Sequence, residues 1–308
     1  MRLSTRIGIL IAIVSLVNVS CAVQPDQRKQ AFINTMVTQW KFKRSYLEKL
    51  LANRPADPRI LKAINRPYEA KPWLEYRKHF LTDNRITHGV EYWKENKFLL
   101  KQANKKYGVN PEIIVAIIGV ESHYGRHRGT YSVLDTLNTL AFYYPRRSKF
   151  FTKELSAYLR LTRKDQVDPT TIKGSYAGAI GMTQFMPSSI LHYGVHVGAP
   201  PINLQTDNAD AIMSVANYLA KNGWQANAKV AYKLNNMPRE IQKITKITKV
   251  KPNVLLVPAD ASPQYWQIKK NFKAIMSYNP RYSYAMAVTE LGDAIKQQMQ
   301  NRQPNNNG

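Results

Sequence analysis

Apolar residues recur at helical spacing along most of the chain. Phe32, Met36 and Trp40 stand four apart, as do Tyr46 and Leu50, so residues 23–68 read as helices broken by Pro55, Pro58 and Pro67. Residues 68–72 read as a linker. Trp73–Phe80 and residues 88–107 read as two further helices, the second rich in lysine. Residues 148–163 form an amphipathic pattern with Ser148 as its cap. Residues 173–181 are a run of small side chains, and Pro187 opens another helix. Residues 207–222 read as a helix closed by Gly223, and residues 283–298 as a last one. From about residue 227 the pattern shortens. Val254–Val257 and residues 265–268 read as strands, with residues 271–278 as a third candidate. The polar tail 302–308 reads as disordered. No internal repeat is visible. The expected fold class is mainly α (α+β), with a small β subdomain late in the chain.

One helix stands apart. Asn110 suits an N-cap, Pro111 the first helical position, and Glu112 the positive end of the helix. Residues 113–120 are then apolar on every face, which marks a buried helix. It ends in Glu121-Ser-His-Tyr-Gly125. An acid on such a helix is expected to be partly desolvated and to sit at the negative end of the dipole. Both effects favour the protonated form. A carboxyl that holds its proton near neutral pH suits general acid chemistry, such as protonating a glycosidic oxygen. Gly125 and Gly129 let the chain turn away and leave room above it. The plainer alternative is a Glu121 that meets solvent or pairs with Arg126 or Arg128.

Charge changes the picture next. The 308 residues carry 45 Lys+Arg against 20 Asp+Glu, a formal +25. Such an excess concerns partners, not fold, and points to anionic polymers. Arg2 and Arg6 lead into an apolar run from Ile7 to Val17, too short for a comfortable membrane span and shaped like a secretory signal; a membrane-anchoring helix is the alternative. Export argues against nucleic acid and for envelope material. Cys21 is the only cysteine, so no intrachain disulfide forms. It stands where the signal ends, as a lipoprotein acceptor does. Asn18 departs from the leucine favoured three places earlier, and cleavage after Ala22 competes. The expected location is periplasmic, anchored to the outer membrane through Cys21.

Several longer motifs extend the reading. Pro111-Glu-Ile-Ile-Val-Ala-Ile-Ile-Gly-Val-Glu121, with Ser122 and Gly125, is one. Tyr144-Pro-Arg-Arg-Ser-Lys-Phe-Phe151 is a second. Gly174-Ser-Tyr-Ala-Gly-Ala-Ile-Gly-Met-Thr-Gln-Phe-Met-Pro-Ser-Ser189 is a third. Ser214-Val-Ala-Asn-Tyr218 with Gly223-Trp224, and Tyr278-Asn279 with Tyr284-Ala-Met-Ala-Val288, complete the set. Together, in this order, they resemble the membrane-bound lytic murein transglycosylase B family over residues 30–297.

The resemblance implies a lysozyme-like catalytic core with an N-terminal helical domain and a small β subdomain. On this chain that gives a signal at 1–21, a helical region at 23–110 and the core at 111–226. A β-containing part at 227–277, a returning helix at 278–300 and the tail 301–308 follow. It implies non-hydrolytic cleavage of the bond from N-acetylmuramic acid to N-acetylglucosamine, leaving 1,6-anhydro ends. Glu121 would serve as acid and then as base, with no second carboxylate; ordinary glycosidases use a pair. Ser175 and Gln184 would bond sugar or Glu121. Tyr76, Tyr218, Tyr278, Tyr284 and, more weakly, Asn279 would line the cleft, where aromatic faces suit sugar C–H surfaces. Arg146 and Arg147 would meet lactyl or peptide carboxylates. Peptidoglycan glycan strands are the implied partner, and a monomer the expected state. Some members carry a calcium loop before the Ser-Val-Ala-Asn-Tyr segment. Residues 192–201 have no carboxylate there, so no calcium, no other metal and no cofactor is expected.

Three rival readings stand beside it. His123/His127 and His192/His196 have zinc-like spacing, but glycines interrupt each pair and no glutamate adjoins them. A hydrolytic lysozyme on the same scaffold would yield products heavier by one water. A non-catalytic cationic wall-binding protein would use the charge alone, and gives Glu121 no role.

Overall fold

The computed structural model describes residues 24–65, 71–198, 200–235 and 244–301. The signal segment, Cys21, most of the linker and the 302–308 tail lie outside the described residues. The chain is mainly helical. Helices α1 (Pro25–Trp40), α2 (Arg44–Leu51) and α3 (Pro58–Ile64) come first. Next are α4 (Trp73–Phe80), α5 (Asp83–Glu95), α6 (Lys97–Tyr107) and α7 (Pro111–Ser122). Then follow α8 (Val133–Tyr143), α9 (Ser148–Lys164), α10 (Pro187–Tyr193), α11 (Asn208–Lys221), α12 (Lys270–Tyr278) and α13 (Tyr282–Asn301).

Among the described residues, six short strands complete the fold. Strands β1 (Tyr131–Ser132) and β2 (Lys173–Gly174) pair with each other. Strands β3 (Ala231–Lys233), β4 (Thr248–Lys251), β5 (Val254–Val257) and β6 (Gln264–Ile268) form an antiparallel sheet in the order β3-β6-β5-β4. The late β insertion is therefore present, and β6 begins one residue before its expected start.

Four local expectations are corrected. Residues 88–107 are two helices, α5 and α6, with Asn96 between them closing one and opening the other. The first starts earlier than expected because the Thr82 side chain accepts from the Arg85 N–H. Residues 271–278 are helix, not strand: Asn271, Phe272, Ala274 and Ile275 bury one helical stripe. Ser148 does not cap α9. It is the first helical residue, and its hydroxyl bonds the Ala141 carbonyl. Helix α8 has no counterpart in the sequence reading, although Ser132 caps it by accepting from Asp135 N at 3.3 Å.

Two apolar cores hold these elements, and they do not follow chain order. One gathers α4–α7, α11–α13 and the sheet, with Ile114, Ile117, Met286 and Leu291 at its centre. The other gathers α1–α3 with α8–α10 through Met36, Leu47, Leu137, Phe142 and Leu159. Helix α7 packs on α13, α5, α11 and α6. Ile114 to Ile118 are fully enclosed, as an all-apolar helix requires. Tyr218 and Tyr278 pack against both cores, so the seam between the cores passes at these two rings.

Candidate active site

Helix α7 delivers Glu121 in its last turn. His123 closes the helix in the left-handed region (φ 52°), donating its N–H to Gly119 and Ile118. Tyr124 (φ 58°) and Gly125 (φ 81°) continue the reversal. The turn is pinned from inside. Buried Ser122 donates to the Met182 carbonyl at 2.8 Å and accepts from the Gly125 N–H at 3.0 Å. Arg85 donates to the Gly119 carbonyl, and Tyr124 donates its phenol to the Arg85 carbonyl at 2.9 Å. Ser122 and Arg85 escaped the sequence reading of the site. Only the apolar helix before Ser122 hints at its enclosure.

The small-residue segment packs against the loop that follows Glu121. Strand pairing aligns Tyr131 with Gly174 and Ser132 with Lys173. A Cβ on Gly129 (φ 88°) would lie 2.1 Å from the Gly174 backbone, so only glycine lets these two segments meet. Ser175 braces its own turn: its hydroxyl accepts from Ala177 N and Ala179 N at 3.3 and 3.1 Å. Gln184 takes a left-handed conformation (φ 47°) and donates to the carbonyls of Gly181 (2.8 Å) and Arg128 (3.3 Å). Its amide therefore ties the small-residue segment to the loop that follows Glu121.

Tyrosines form the remaining side. Tyr284, in the first turn of α13, donates its phenol to Glu121 Oε1 at 2.6 Å. Its ring stacks on Tyr278 (6.2 Å between centroids, 14° between planes), and Tyr278 meets Tyr218 at 4.8 Å. Phe185 and Tyr193 extend this cluster. Tyr278 donates to the Thr183 carbonyl and Tyr218 to the Ser277 carbonyl, each at 2.6 Å. Burial, then neighbouring Glu121, pushes the phenols of Tyr278 and Tyr284 well above their ordinary value. Both stay protonated donors at any working pH.

The other expected residues are placed as follows. Tyr76 is buried in the core between Trp73 and Phe80, not on an open surface. Asn279 follows α12 as its C-cap and is half-buried. Arg146 and Arg147 are exposed in a short 3-10 turn before α9, where Arg147 lies over the Phe150 ring at 4.3 Å. Asp210 ties down the loop before α11: its carboxylate accepts from Val197 N and Asn203 N, each at 2.8 Å.

Comparison with known proteins decides the family. Residues 24–293 match the transglycosylase SLT domain. The chain belongs to this family of enzymes. It is 37% identical over 296 residues to membrane-bound lytic murein transglycosylase B of Escherichia coli K12, covering 86% of this chain and 82% of that protein. The fold is similar to that of E. coli lytic transglycosylase Slt35 in complex with calcium: TM-score 0.78, 36% identity, 90% of this chain and 99% of that one. It is also similar to SltB3 of Pseudomonas aeruginosa in complex with NAG-NAM-pentapeptide: TM-score 0.74, 26% identity, 89% and 80% covered.

Proposed function

We propose that this protein is a lytic murein transglycosylase that cleaves the β-1,4 bond from N-acetylmuramic acid to N-acetylglucosamine without water. The observation that carries the reading is the hydrogen bond from Tyr284 to Glu121, made where the seam between two cores meets the end of α7. It fixes one carboxyl group beside an aromatic wall suited to sugar. Around that carboxyl the tyrosines supply phenols in place of a second acid, which suits a single group acting twice.

The chemistry balances with that one group. Glu121 gives its proton to the glycosidic oxygen as the bond from muramic C1 to that oxygen breaks. The substrate's acetamido group shields C1 meanwhile. The resulting carboxylate removes the proton from the muramic C6 hydroxyl, and O6 bonds to C1. The proton returns to Glu121 and the product is a 1,6-anhydro end. Tyr284 steadies the carboxylate between the two transfers by charge-assisted hydrogen bonding. Tyr218, Tyr278 and Asn279 line the sugar path, and Tyr76 supports Tyr284 from the core. Ser175 and Gln184 shape the opposite wall. Exposed Arg146 and Arg147 meet carboxylates on the strand.

The mature protein works in the periplasm as a monomer, held to the outer membrane by lipid on Cys21. Among the described residues no helix is long and apolar enough to cross a membrane. The membrane-bound character named for the E. coli relative is consistent with such an anchor.

Replacing the acid tests the chemistry. Glu121→Gln keeps the shape and removes the transferable proton. Release of anhydromuropeptides from sacculi should fall by at least about a hundredfold with the melting temperature retained. Substantial remaining activity, or products heavier by one water in the native digest, would overturn the mechanism.

A further inference from the structure

Arg85 carries a buried charge with no acid to answer it. The residue is 7% exposed and stands in the first turn of α5. Among the described residues no carboxylate forms an ion pair with it. Burial lowers the pKa of its guanidinium below the ordinary value. A buried cation without a counter-ion costs stability, and an apolar side chain of similar volume would cost less. Its partner is of another kind. The guanidinium Nη1 donates to the Gly119 carbonyl, two residues before Glu121. That oxygen also accepts from the His123 N–H at 3.0 Å, the bond that closes α7. The last four carbonyls of a helix gather partial negative charge. The cation therefore faces the negative pole of the helix that carries the acid.

The contact is braced as well as charged. The Arg85 N–H donates to the Thr82 hydroxyl at 3.2 Å, and the Arg85 carbonyl accepts from the Tyr124 phenol at 2.9 Å. The guanidinium carbon lies 5.2 Å from the centre of the Phe80 ring. The Tyr124 phenol occupies a slot between two glycines. A Cβ on Gly89 of α5, or on Gly119 of α7, would stand 2.6 Å from its oxygen. Tyr92 packs on the Tyr124 ring at 5.6 Å between centroids. Helix α5 thus grips the end of α7 twice. Arg85 holds a carbonyl before the acid, and Tyr124 ties the turn after the acid back to α5. Glu121 stands between the two ties.

We infer that Arg85, together with Tyr124, is a positioning residue that sets the direction of the Glu121 carboxyl. The inference rests on the proposed function for what that carboxyl does. Buried behind the turn, Arg85 acts through the Gly119 carbonyl and not on the sugar. The Tyr284 bond holds the carboxyl itself, and the grip of α5 holds the backbone beneath it. An acid that gives a proton to one oxygen and takes one from another needs such a fixed base. Misplacement by about 1 Å can cost about a hundredfold in rate. That need accounts for a buried cation at a position where a methionine would pack at lower cost.

Turnover of sacculi is measured for Arg85→Met, Arg85→Lys and Tyr124→Phe. Leu100→Ala, buried in the same core on α6, is the control for lost stability alone. Arg85→Met should lower kcat about 10- to 100-fold and leave KM within about twofold. Arg85→Lys keeps the charge and a donor, and should retain more activity than Arg85→Met. Tyr124→Phe keeps the ring and loses one tie, and its kcat should fall about fivefold. It carries the same test if Arg85→Met does not fold. Leu100→Ala should melt lower and keep its kcat below its melting transition. In a Glu121→Gln background, Arg85→Met should cost less than about twofold more, because groups that act through one another are not additive. Wild-type kcat in Arg85→Met and Tyr124→Phe overturns the inference. So does a loss that falls on KM, a loss matched by Leu100→Ala, or full additivity with Glu121→Gln. Failure of the catalytic reading would show separately, as turnover that survives Glu121→Gln.

Discussion

Tyr284 reaches Glu121 from 163 residues further along the chain and bonds it at 2.6 Å. The acid was legible in the sequence because it ends the most apolar helix. The phenol was legible only through the family motif, since nothing in local spacing links positions 121 and 284. Ser175 and Gln184 both bond backbone groups within the structure, Ser175 as acceptor and Gln184 as donor. Tyr284→Phe isolates the phenol, because the buried ring keeps its place and loses only the hydroxyl. A hydrogen bond to a charged group is worth about 1.5–3 kcal/mol. Turnover of sacculi should therefore drop about 10- to 100-fold, with a small change in melting temperature. Wild-type turnover by this variant would show that the bond has no part in the reaction.

The end of α7 couples several elements, and histidines crowd around it. His88 of α5 lies 2.9 Å from His123, and the His127 ring is 5.5 Å from that of His123. Desolvation first, then Arg85, His88, His127 and Arg126, hold the His123 imidazole down at about 4 from an ordinary 6.5. The unfolded chain takes up a proton at this position below about pH 6.5, while the folded chain refuses it until about pH 4. The stability that His123 contributes is thus complete above 6.5 and is lost as pH falls through this window. Partial exposure of the ring reduces its size. Melting temperature measured from pH 7.5 to 4 should decline, and His123→Asn, which tolerates the left-handed position, should decline less. Parallel curves would remove His123 from the cause. The same scale shows why some elements escaped the sequence. Phe272, Ala274, Met276 and Tyr278 alternate like a strand, and only Ile275 betrays the helical stripe of α12. In the stretch 88–107 the apolar spacing runs on past Asn96, and the break comes from capping, which periodicity does not register.

At the scale of the whole molecule, the mainly helical class with a late sheet was readable, but the partition of the cores was not. Residues 111–226 read as one unit along the chain, yet α7 and α11 pack in one core while α8, α9 and α10 pack in the other. Periodicity reports which face of a helix is buried and says nothing about which partner covers it. The charge of +25 was readable in full, 45 Lys+Arg against 20 Asp+Glu. Many of these cations stand on exposed surface, as Lys246, Lys249 and Lys251 do beside the sheet. A field of this kind draws the protein to an anionic wall from beyond contact distance. Its range shortens from about 10 Å at 0.1 M salt to about 3 Å at 1 M. Glu121→Gln protein, which leaves the sacculi uncut, should therefore co-sediment with them at 0.1 M salt and lose about tenfold in affinity at 1 M. If retention by sacculi proves indifferent to salt, contacts in the cleft alone hold the strand, and the basic surface serves something other than attraction to the wall.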